Sequence, residues 1–340
     1  MKRRIYYIHG FDFRGVAWYH KFFKKSAPCG FKIGNLENDK FKINNDIEFV
    51  ILSWQEIVLR NWFNKFTIFL IFLSHFFQFF FTPKYKSLQK MDTKLALIIR
   101  YGTITLFVSL LILILSIAFF GKYAALFSFI LISIIYIFLF NKFNLFWLFL
   151  TTYFVDKKIS VDLINTVTEI FSDAFNRIEK SDPAEEIILL AHSVGTAYIP
   201  QLINMINRQE NTNKKISTAI TFGSILPFLY LNNEKWLFDE LTNLSNKNIP
   251  WHDFSAKADA LCFFCTDLYK LCGISGDSVY LHNLRFASYF KPSRWKRLRS
   301  NKLLVHFLYF KKYDHVATYN FFEMLCSDNI QNYLEGLLRD

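Results

Sequence analysis

A chain of 340 residues with 52% hydrophobic and 20% charged residues is neither disordered nor collagen-like, and it is long enough to bury a sizeable core. Phenylalanine occurs 41 times and the mean hydropathy is +0.18, which is unusual for a soluble enzyme. The formal net charge of +12 favours a polyanionic partner, and the apolar excess favours an anionic membrane surface over nucleic acid.

Short runs of β-forming residues alternate with helical periodicity near both ends of the chain. The first run is about four residues long, which is shorter than the apolar region of a signal peptide, so we expect no secretory signal. The predicted strands are residues 4–8, 47–53, 186–190, 216–222 and 303–310, and the predicted helices are residues 161–178 and 197–206. Alternating strands and helices predict an α/β fold with a mostly parallel sheet.

The middle of the chain differs in kind, because residues 103–140 are almost entirely apolar apart from Gly121-Lys122-Tyr123. Each half has about 18 residues and would extend about 27 Å as a helix, close to the thickness of a bilayer core. The pattern predicts a membrane hairpin with spans at residues 103–120 and 123–140. Two flanking apolar stretches, residues 66–81 and 143–155, are short for spans and remain open as interfacial helices, extensions of the hairpin or further spans.

Positive charges flank the predicted hairpin at both ends, whereas its turn carries only Lys122. The positive-inside rule therefore places both ends in the cytoplasm. We expect residues 1–56 and 159–340 to form one cytoplasmic domain, with residues 57–158 as a membrane insertion. The expected location is a bacterial inner membrane.

The residues with the clearest chemical signal are 185–197, with the sequence EEIILLAHSVGTA. A buried strand runs into a turn at Ser193, and an amphipathic helix follows. This order is typical of a nucleophile elbow, in which small residues two positions before and after the serine let neighbouring backbone approach. The segment resembles the α/β-hydrolase family, whose motif is G-x-S-x-G, with Ala191 in place of the first glycine.

Other segments extend this resemblance in the expected chain order. Residues 4–10 resemble the early strand that ends in His-Gly, and residues 221–224 resemble the Gly-Ser turn after the elbow helix. Residues 251–259 resemble the strand and turn that present the acid, and residues 313–315 the loop that presents the base. The resemblance implies a triad of Ser193, Asp259 and His315, and an oxyanion hole formed by the backbone N–H groups of Phe11 and Val194.

Several residues compete for these roles. Asp253 is the next candidate for the acid, and Asp314 is disfavoured because it adjoins the base in sequence. We expect His192 to be a packing or entrance residue and His9 to shape the oxyanion loop, and both are placed with Gly10 beside the substrate. The remaining strand-associated histidines, His252, His282 and His306, are interpreted as structural.

Two further patterns bear on cofactors and partners. Cys262 and Cys265 form a C-x-x-C pattern, but no fourth zinc ligand follows at a suitable spacing, so we expect reduced buried thiols, no metal and no cofactor. Residues 278–313 contain no Asp or Glu and many Lys and Arg residues. We expect no nucleic-acid partner, and anionic headgroups are the candidate ligands of four of these side chains, Arg294, Lys296, Arg297 and Arg299.

The sequence therefore predicts a membrane-anchored serine hydrolase of the lipase or esterase type, acting on lipid esters or other acylated amphiphiles. Acyl transfer on the same triad and a catalytically inactive membrane scaffold are the alternatives. Transport is disfavoured because the two predicted spans contain no acidic or basic residue that would mark a pathway.

Overall fold

The computed structural model describes residues 2–10, 15–54, 157–208, 216–247, 249–259, 262–263, 266–274, 279–300, 305–315 and 319–338, together with isolated positions between residues 57 and 130. The chain divides into two compact units. One comprises Met1–Phe63 with Lys157–Asp340, and the other comprises Asn64–Asp156.

The first unit contains a seven-stranded, mostly parallel sheet. Its strands are β1 (Arg3–Ile8), β2 (Lys40–Ile43), β3 (Ile47–Leu52), β4 (Glu186–His192), β5 (Ile216–Phe222), β6 (Trp251–Ser255) and β7 (Val279–Asn283). Their order across the sheet is β2-β3-β1-β4-β5-β6-β7, and β2 is antiparallel to its neighbour. The predicted α/β fold with a mostly parallel sheet is confirmed.

The described helices cover both faces of this sheet. They are α1 (Gly15–Ser26), α2 (Lys157–Ser181), α3 (Ile199–Arg208), α4 (Leu226–Ser245), α5 (Leu268–Cys272), α6 (Phe286–Tyr289), α7 (Pro292–Arg299), α8 (Phe321–Cys326) and α9 (Ile330–Gly336). Two 3-10 helices, Ser193–Tyr198 and Leu308–Phe310, complete the described helical structure. Helices α2, α3 and α4 pack in sequence on one another, while α1 and α6 to α9 surround an aromatic core on the other face.

The neighbouring strands β1 and β4 are buried along almost their whole length. All six residues of β1 are buried, as are the last six of β4, which explains the apolar runs Ile5–Ile8 and Ile187–Ala191 within them. From β1 the chain continues to β3 on one side, and it later returns to β4 on the other. Strand order therefore reverses between β1 and β4, and in open α/β sheets ligands bind at the carboxyl ends of strands at such a reversal.

One predicted strand is wrong. Residues 303–310 were expected to be a strand because they are apolar, but residues 305–306 are helical and Leu308–Phe310 form a 3-10 helix. Val305, Leu308 and Phe310 are fully buried in the aromatic core on one face of the sheet, without pairing to a strand. A short apolar run does not distinguish a buried helix from a buried strand.

The predicted spans, residues 103–120 and 123–140, lie outside the described residues except for single positions. Among the residues that the structure describes, no helix is both long and apolar enough to cross a membrane.

Candidate active site

The carboxyl ends of four neighbouring strands bring the candidate residues to one edge of the sheet. β1 ends before His9 and Gly10, β4 ends at the elbow, β5 ends before Gly223, and β6 leads to the turn that contains Asp259. Because the strands are parallel neighbours, these four connections lie side by side.

The backbone at Ser193 has the strained conformation expected of a nucleophile elbow. Its φ is +55°, in the left-handed region that a residue with a side chain rarely adopts. It directly follows β4 and begins the 3-10 helix Ser193–Tyr198, which continues into α3. The hydroxyl of Thr196 donates to the Ser193 carbonyl at 2.6 Å and thereby stabilises the turn.

Close backbone approach explains the small residues around this serine. A Cβ atom on Gly195 would lie 2.4 Å from the carbonyl oxygen of Ile8, at the end of β1. A Cβ atom on Gly10 would lie 2.8 Å from the Cβ of Ser193. Neither position has room for a larger residue, so these two glycines allow the elbow and the connection after β1 to meet.

Asp259 is paired with His306, one of the strand-associated histidines that the sequence pattern indicates to be structural. Nδ1–H of His306 donates to Oδ2 of Asp259 at 2.7 Å, and both residues are buried. The other ring nitrogen of His306, Nε2, is also buried and has no hydrogen-bond partner among the described residues. An imidazole held at Nδ1 by a carboxylate and open at Nε2 is suited to accept a proton from a nucleophile.

The same carboxylate oxygen has a second donor. The phenolic O–H of Tyr309 donates to Oδ2 of Asp259 at 2.9 Å. The thiol of Cys262 lies 3.6 Å from the Tyr309 oxygen and donates to the Asp259 carbonyl oxygen at 3.8 Å. Burial is the main reason why the pKa values of the Tyr309 phenol and the Cys262 thiol are well above their ordinary range, so both groups remain protonated donors.

Gly223 makes room for the Asp–His pair at the end of β5. Its φ is +59°, and a Cβ atom there would lie 3.0 Å from Cε1 of His306 and 3.3 Å from Oδ2 of Asp259. The next residue, Ser224, accepts a hydrogen bond at its carbonyl from the N–H of Phe263, beyond the acid turn. The predicted Gly-Ser turn therefore contacts the segment that presents the acid.

His192 lies between the elbow and the segment that contains His306. It is fully buried, its Nε2–H donates to the His306 carbonyl at 2.9 Å, and the centroids of the two imidazole rings are 4.4 Å apart. Burial lowers the pKa of His192 well below its ordinary value, so it is neutral near pH 7. Of its two expected roles, packing or entrance, the structure therefore favours packing.

His9 is buried under the connection that follows β1. Its ring stacks between Tyr19 and Trp54, with centroid distances of 4.9 and 5.5 Å, and its Nδ1–H donates to the Gly10 carbonyl at 2.7 Å. The indole N–H of Trp54 donates to the His9 carbonyl at 2.9 Å. These contacts fix the backbone of the predicted oxyanion loop. Phe11 lies outside the described residues, and Val194 is buried in the first turn after the elbow.

The structure does not bring the predicted base to the predicted acid. His315 is exposed, and its backbone N–H donates to the Tyr289 carbonyl at 3.2 Å. The described histidine that is hydrogen-bonded to Asp259 is His306.

The two alternative acids have other partners. Asp253 is fully enclosed on β6 and accepts a hydrogen bond from Thr221 at 2.6 Å, and burial raises its pKa to about 7. Asp314 forms an ion pair with Arg294 and accepts from the backbone N–H of Lys291 at 3.0 Å.

Within the described ranges, no group of three or more His, Cys, Asp or Glu side chains could hold a metal ion. Cys262 is a buried free thiol, and Cys265 lies outside the described residues. Comparison of the chain with protein-family models, with curated proteins and with solved structures gave no significant match.

Proposed function

We propose that the chain is a serine hydrolase of the α/β-hydrolase type, with Ser193 as nucleophile, His306 as general base and Asp259 as the orienting acid. The observation that carries the proposal is the buried hydrogen bond between His306 and Asp259, at the same sheet edge as a serine with a left-handed backbone. The chain order of serine, acid and histidine is also that of α/β-hydrolases.

In this mechanism Ser193 attacks the carbonyl carbon of an ester, and His306 takes the hydroxyl proton at Nε2. Asp259 holds Nδ1–H and stabilises the imidazolium. The tetrahedral intermediate collapses to an acyl-enzyme as His306 returns the proton to the leaving alcohol. Water, activated by the same histidine, then attacks the acyl-enzyme and releases the acid.

The oxyanion formed in these steps requires backbone donors. We assign them to the N–H of Val194, which directly follows the nucleophile, and to an N–H in the connection after Gly10, where Phe11 is the candidate. The hydrogen bond from Trp54 to the His9 carbonyl stabilises the backbone at the start of this connection.

Lipid esters or other acylated amphiphiles are the proposed substrates, and the bilayer is the proposed site of action. Support comes from the apolar segment between β3 and α2 and from its exposed side chains. Five of them, at helical positions, are at least 43% exposed, which is unfavourable in water and favourable in lipid: Val108, Leu111, Leu115, Leu126 and Ile130.

We propose that the catalytic domain lies on the cytoplasmic side of a bacterial inner membrane, because positive charges flank the apolar segment at both ends.

The experiment is hydrolysis of a panel of p-nitrophenyl esters and phospholipids by the detergent-purified full chain, beside Ser193→Ala. We expect activity that the substitution abolishes, covalent labelling of Ser193 by a fluorophosphonate, and a chain-length preference that names the substrate. Acyl transfer to an added alcohol that exceeds hydrolysis would identify an acyltransferase. A folded chain that neither cleaves an ester nor reacts with fluorophosphonate would contradict the proposal. It would favour the alternative, a catalytically inactive scaffold.

A further inference from the structure

Three separate segments place unneutralised positive charge on one flank of the first unit. They are the last turn of α1, helix α7 and the loop that follows the 3-10 helix Leu308–Phe310. Six of the side chains are exposed and Lys311 is half-buried, and we call the set the cationic flank: Lys24, Lys25, Lys296, Arg297, Arg299, Lys311 and Lys312. No Asp or Glu occurs in α1 or in the described residues 279–300 and 305–313.

Aromatic packing holds α1 against the segment that carries Lys311. The ring of Phe22 lies 5.8 Å from that of Phe307 and 6.3 Å from that of Phe310, and Trp18 lies 5.9 Å from Phe307. These contacts are fixed by the core, so the lysines at the end of α1 stay close to the loop.

Asp314 holds α7 to the same loop. It forms an ion pair with Arg294 and accepts from the backbone N–H of Lys291, at the start of α7. Arg294 also lies over the Phe290 ring, with 5.0 Å between its guanidinium carbon and the ring centroid. Arg294 therefore already has an anionic partner within the chain, and its predicted contact with headgroups stays a prediction.

The charges of the flank repel one another. Burial lowers the pKa of Lys311, and repulsion from the nearby charges of Arg294 and Lys25 lowers it further. The one acid in the adjoining loop, Asp314, is already bound to Arg294. Such a surface becomes more stable when an external anion neutralises it.

We propose that the cationic flank binds anionic lipid headgroups, and that it does so whether or not the chain is a hydrolase. Polyanions in general fit the charge, but two features favour a lipid surface. The same chain carries a long apolar segment, and half-buried tryptophans border the flank at Trp18 and Trp295. Such aromatic residues are typical of membrane interfaces. Lys311 follows His306 by five residues. Contact between Lys311 and a headgroup would therefore keep the segment that contains the proposed base near the lipid.

The test uses the full chain in lipid nanodiscs, which leave both faces accessible, made of phosphatidylcholine with or without phosphatidylglycerol. An amine-acylating reagent is added, and the labelling rate of each lysine is measured by mass spectrometry. We expect Lys296, Lys311 and Lys312 to react at least about fivefold more slowly in the anionic discs, because a basic residue gains about 1 kcal/mol near such a surface. High salt should abolish the difference, since the interaction is screened. Three exposed lysines elsewhere serve as internal controls: Lys180, Lys235 and Lys270.

A charge variant makes the result specific. In K296Q/R297Q/R299Q we expect the protection of Lys311 and Lys312 to fall, whereas the matched variant K180Q/K235Q/K270Q should keep it. Equal labelling in both kinds of disc would overturn the proposal. Protection by an oligonucleotide in the absence of any effect of phosphatidylglycerol would also overturn it and identify a nucleic-acid surface. Ester hydrolysis is not part of the readout, so the two proposals fail independently.

Discussion

His306 and Asp259 are 47 positions apart in the chain, yet Nδ1 of one lies 2.7 Å from Oδ2 of the other inside the folded domain. The pair forms because the fold brings together the acid turn after β6 and residues 305–310, two segments that are far apart in the chain. Tyr309, from the same segment as His306, also donates to Asp259, and Gly223, at the end of β5, lies against both members of the pair.

The identity of the acid is tested by a matched pair of substitutions. We expect Asp259→Asn to lower kcat by about 10³- to 10⁴-fold, because an amide no longer stabilises the imidazolium and can favour the wrong tautomer. Asp253→Asn should keep most of the activity, since an amide oxygen can still accept the Thr221 hydrogen bond and Asp253 has a pKa of about 7 through burial. Initial rates with a p-nitrophenyl ester distinguish the two, and the reverse pattern would make Asp253 the acid.

Tyr309 is fully buried and donates to the proposed acid, so its removal should affect turnover more than substrate binding. We expect Tyr309→Phe to lower kcat about tenfold with little change in KM, because Asp259 loses one of two donors to Oδ2. Tyr313→Phe is the control, since Tyr313 donates to the Leu308 carbonyl at 3.2 Å and does not contact the acid. Equal losses of kcat in both variants would show a general packing effect instead.

The close approach at the elbow predicts a stability difference between two glycines. Gly195→Ala should destabilise the first unit by about 2 kcal/mol or more, because the added Cβ would meet the Ile8 carbonyl at 2.4 Å. Gly336→Ala, where a Cβ would meet nothing within 4 Å, should be tolerated. Thermal unfolding in detergent compares them, and a Gly195→Ala protein as stable as the parent would contradict the elbow geometry.

A buried histidine pair predicts acid sensitivity of the fold. Nδ1 of His252 lies 2.9 Å from Nε2 of His282, and burial lowers their pKa values to about 4 and about 3. The folded pKa values lie below the unfolded value of about 6.5, so at acidic pH the unfolded state binds more protons. The stability that the pair contributes is therefore complete above about pH 6.5 and is lost as the pH falls toward 4 and 3, by up to about 1.4 kcal/mol per pH unit for each proton.

His282→Gln removes one of these two titrating groups and should flatten the dependence. Denaturant unfolding at several pH values between those limits measures the slope for both proteins. The control is His20→Gln, at a half-buried position on α1 whose ring nitrogen lies 2.8 Å from the Gly34 carbonyl oxygen. An unchanged slope in His282→Gln would exclude the pair as its source.

The elements that the sequence predicted well are those with a strong local pattern. The strands that became β1, β3, β4 and β5 are short runs rich in apolar and β-branched residues, and the elbow is marked by Ser193 and Gly195 within two residues of each other. Strands β2 and β7 were not predicted: both are short and lie at the edges of the sheet, and Lys40 and Lys42 interrupt the apolar pattern of β2.

The sequence did not indicate the proposed base, His306, for a different physical reason. His306 lies in an apolar run, which predicts burial but not which polar group shares the buried space. His315 follows a polar loop that matched the expected presentation of a base. Only the tertiary fold shows that Asp259, Tyr309 and Gly223 converge on His306. Apolar surroundings are compatible with the proposed catalytic role because Asp259 accepts a hydrogen bond from Nδ1 of the buried imidazole.

The most direct test of the account compares His306→Ala with His315→Ala in one assay of ester hydrolysis and fluorophosphonate labelling. We expect His306→Ala to lose about 10³-fold or more in both rates, because Ser193 then has no base, while His315→Ala stays within about threefold of the parent. The opposite ranking, in proteins that unfold at the same temperature as the parent, would contradict the assignment of His306 and return His315 to the site.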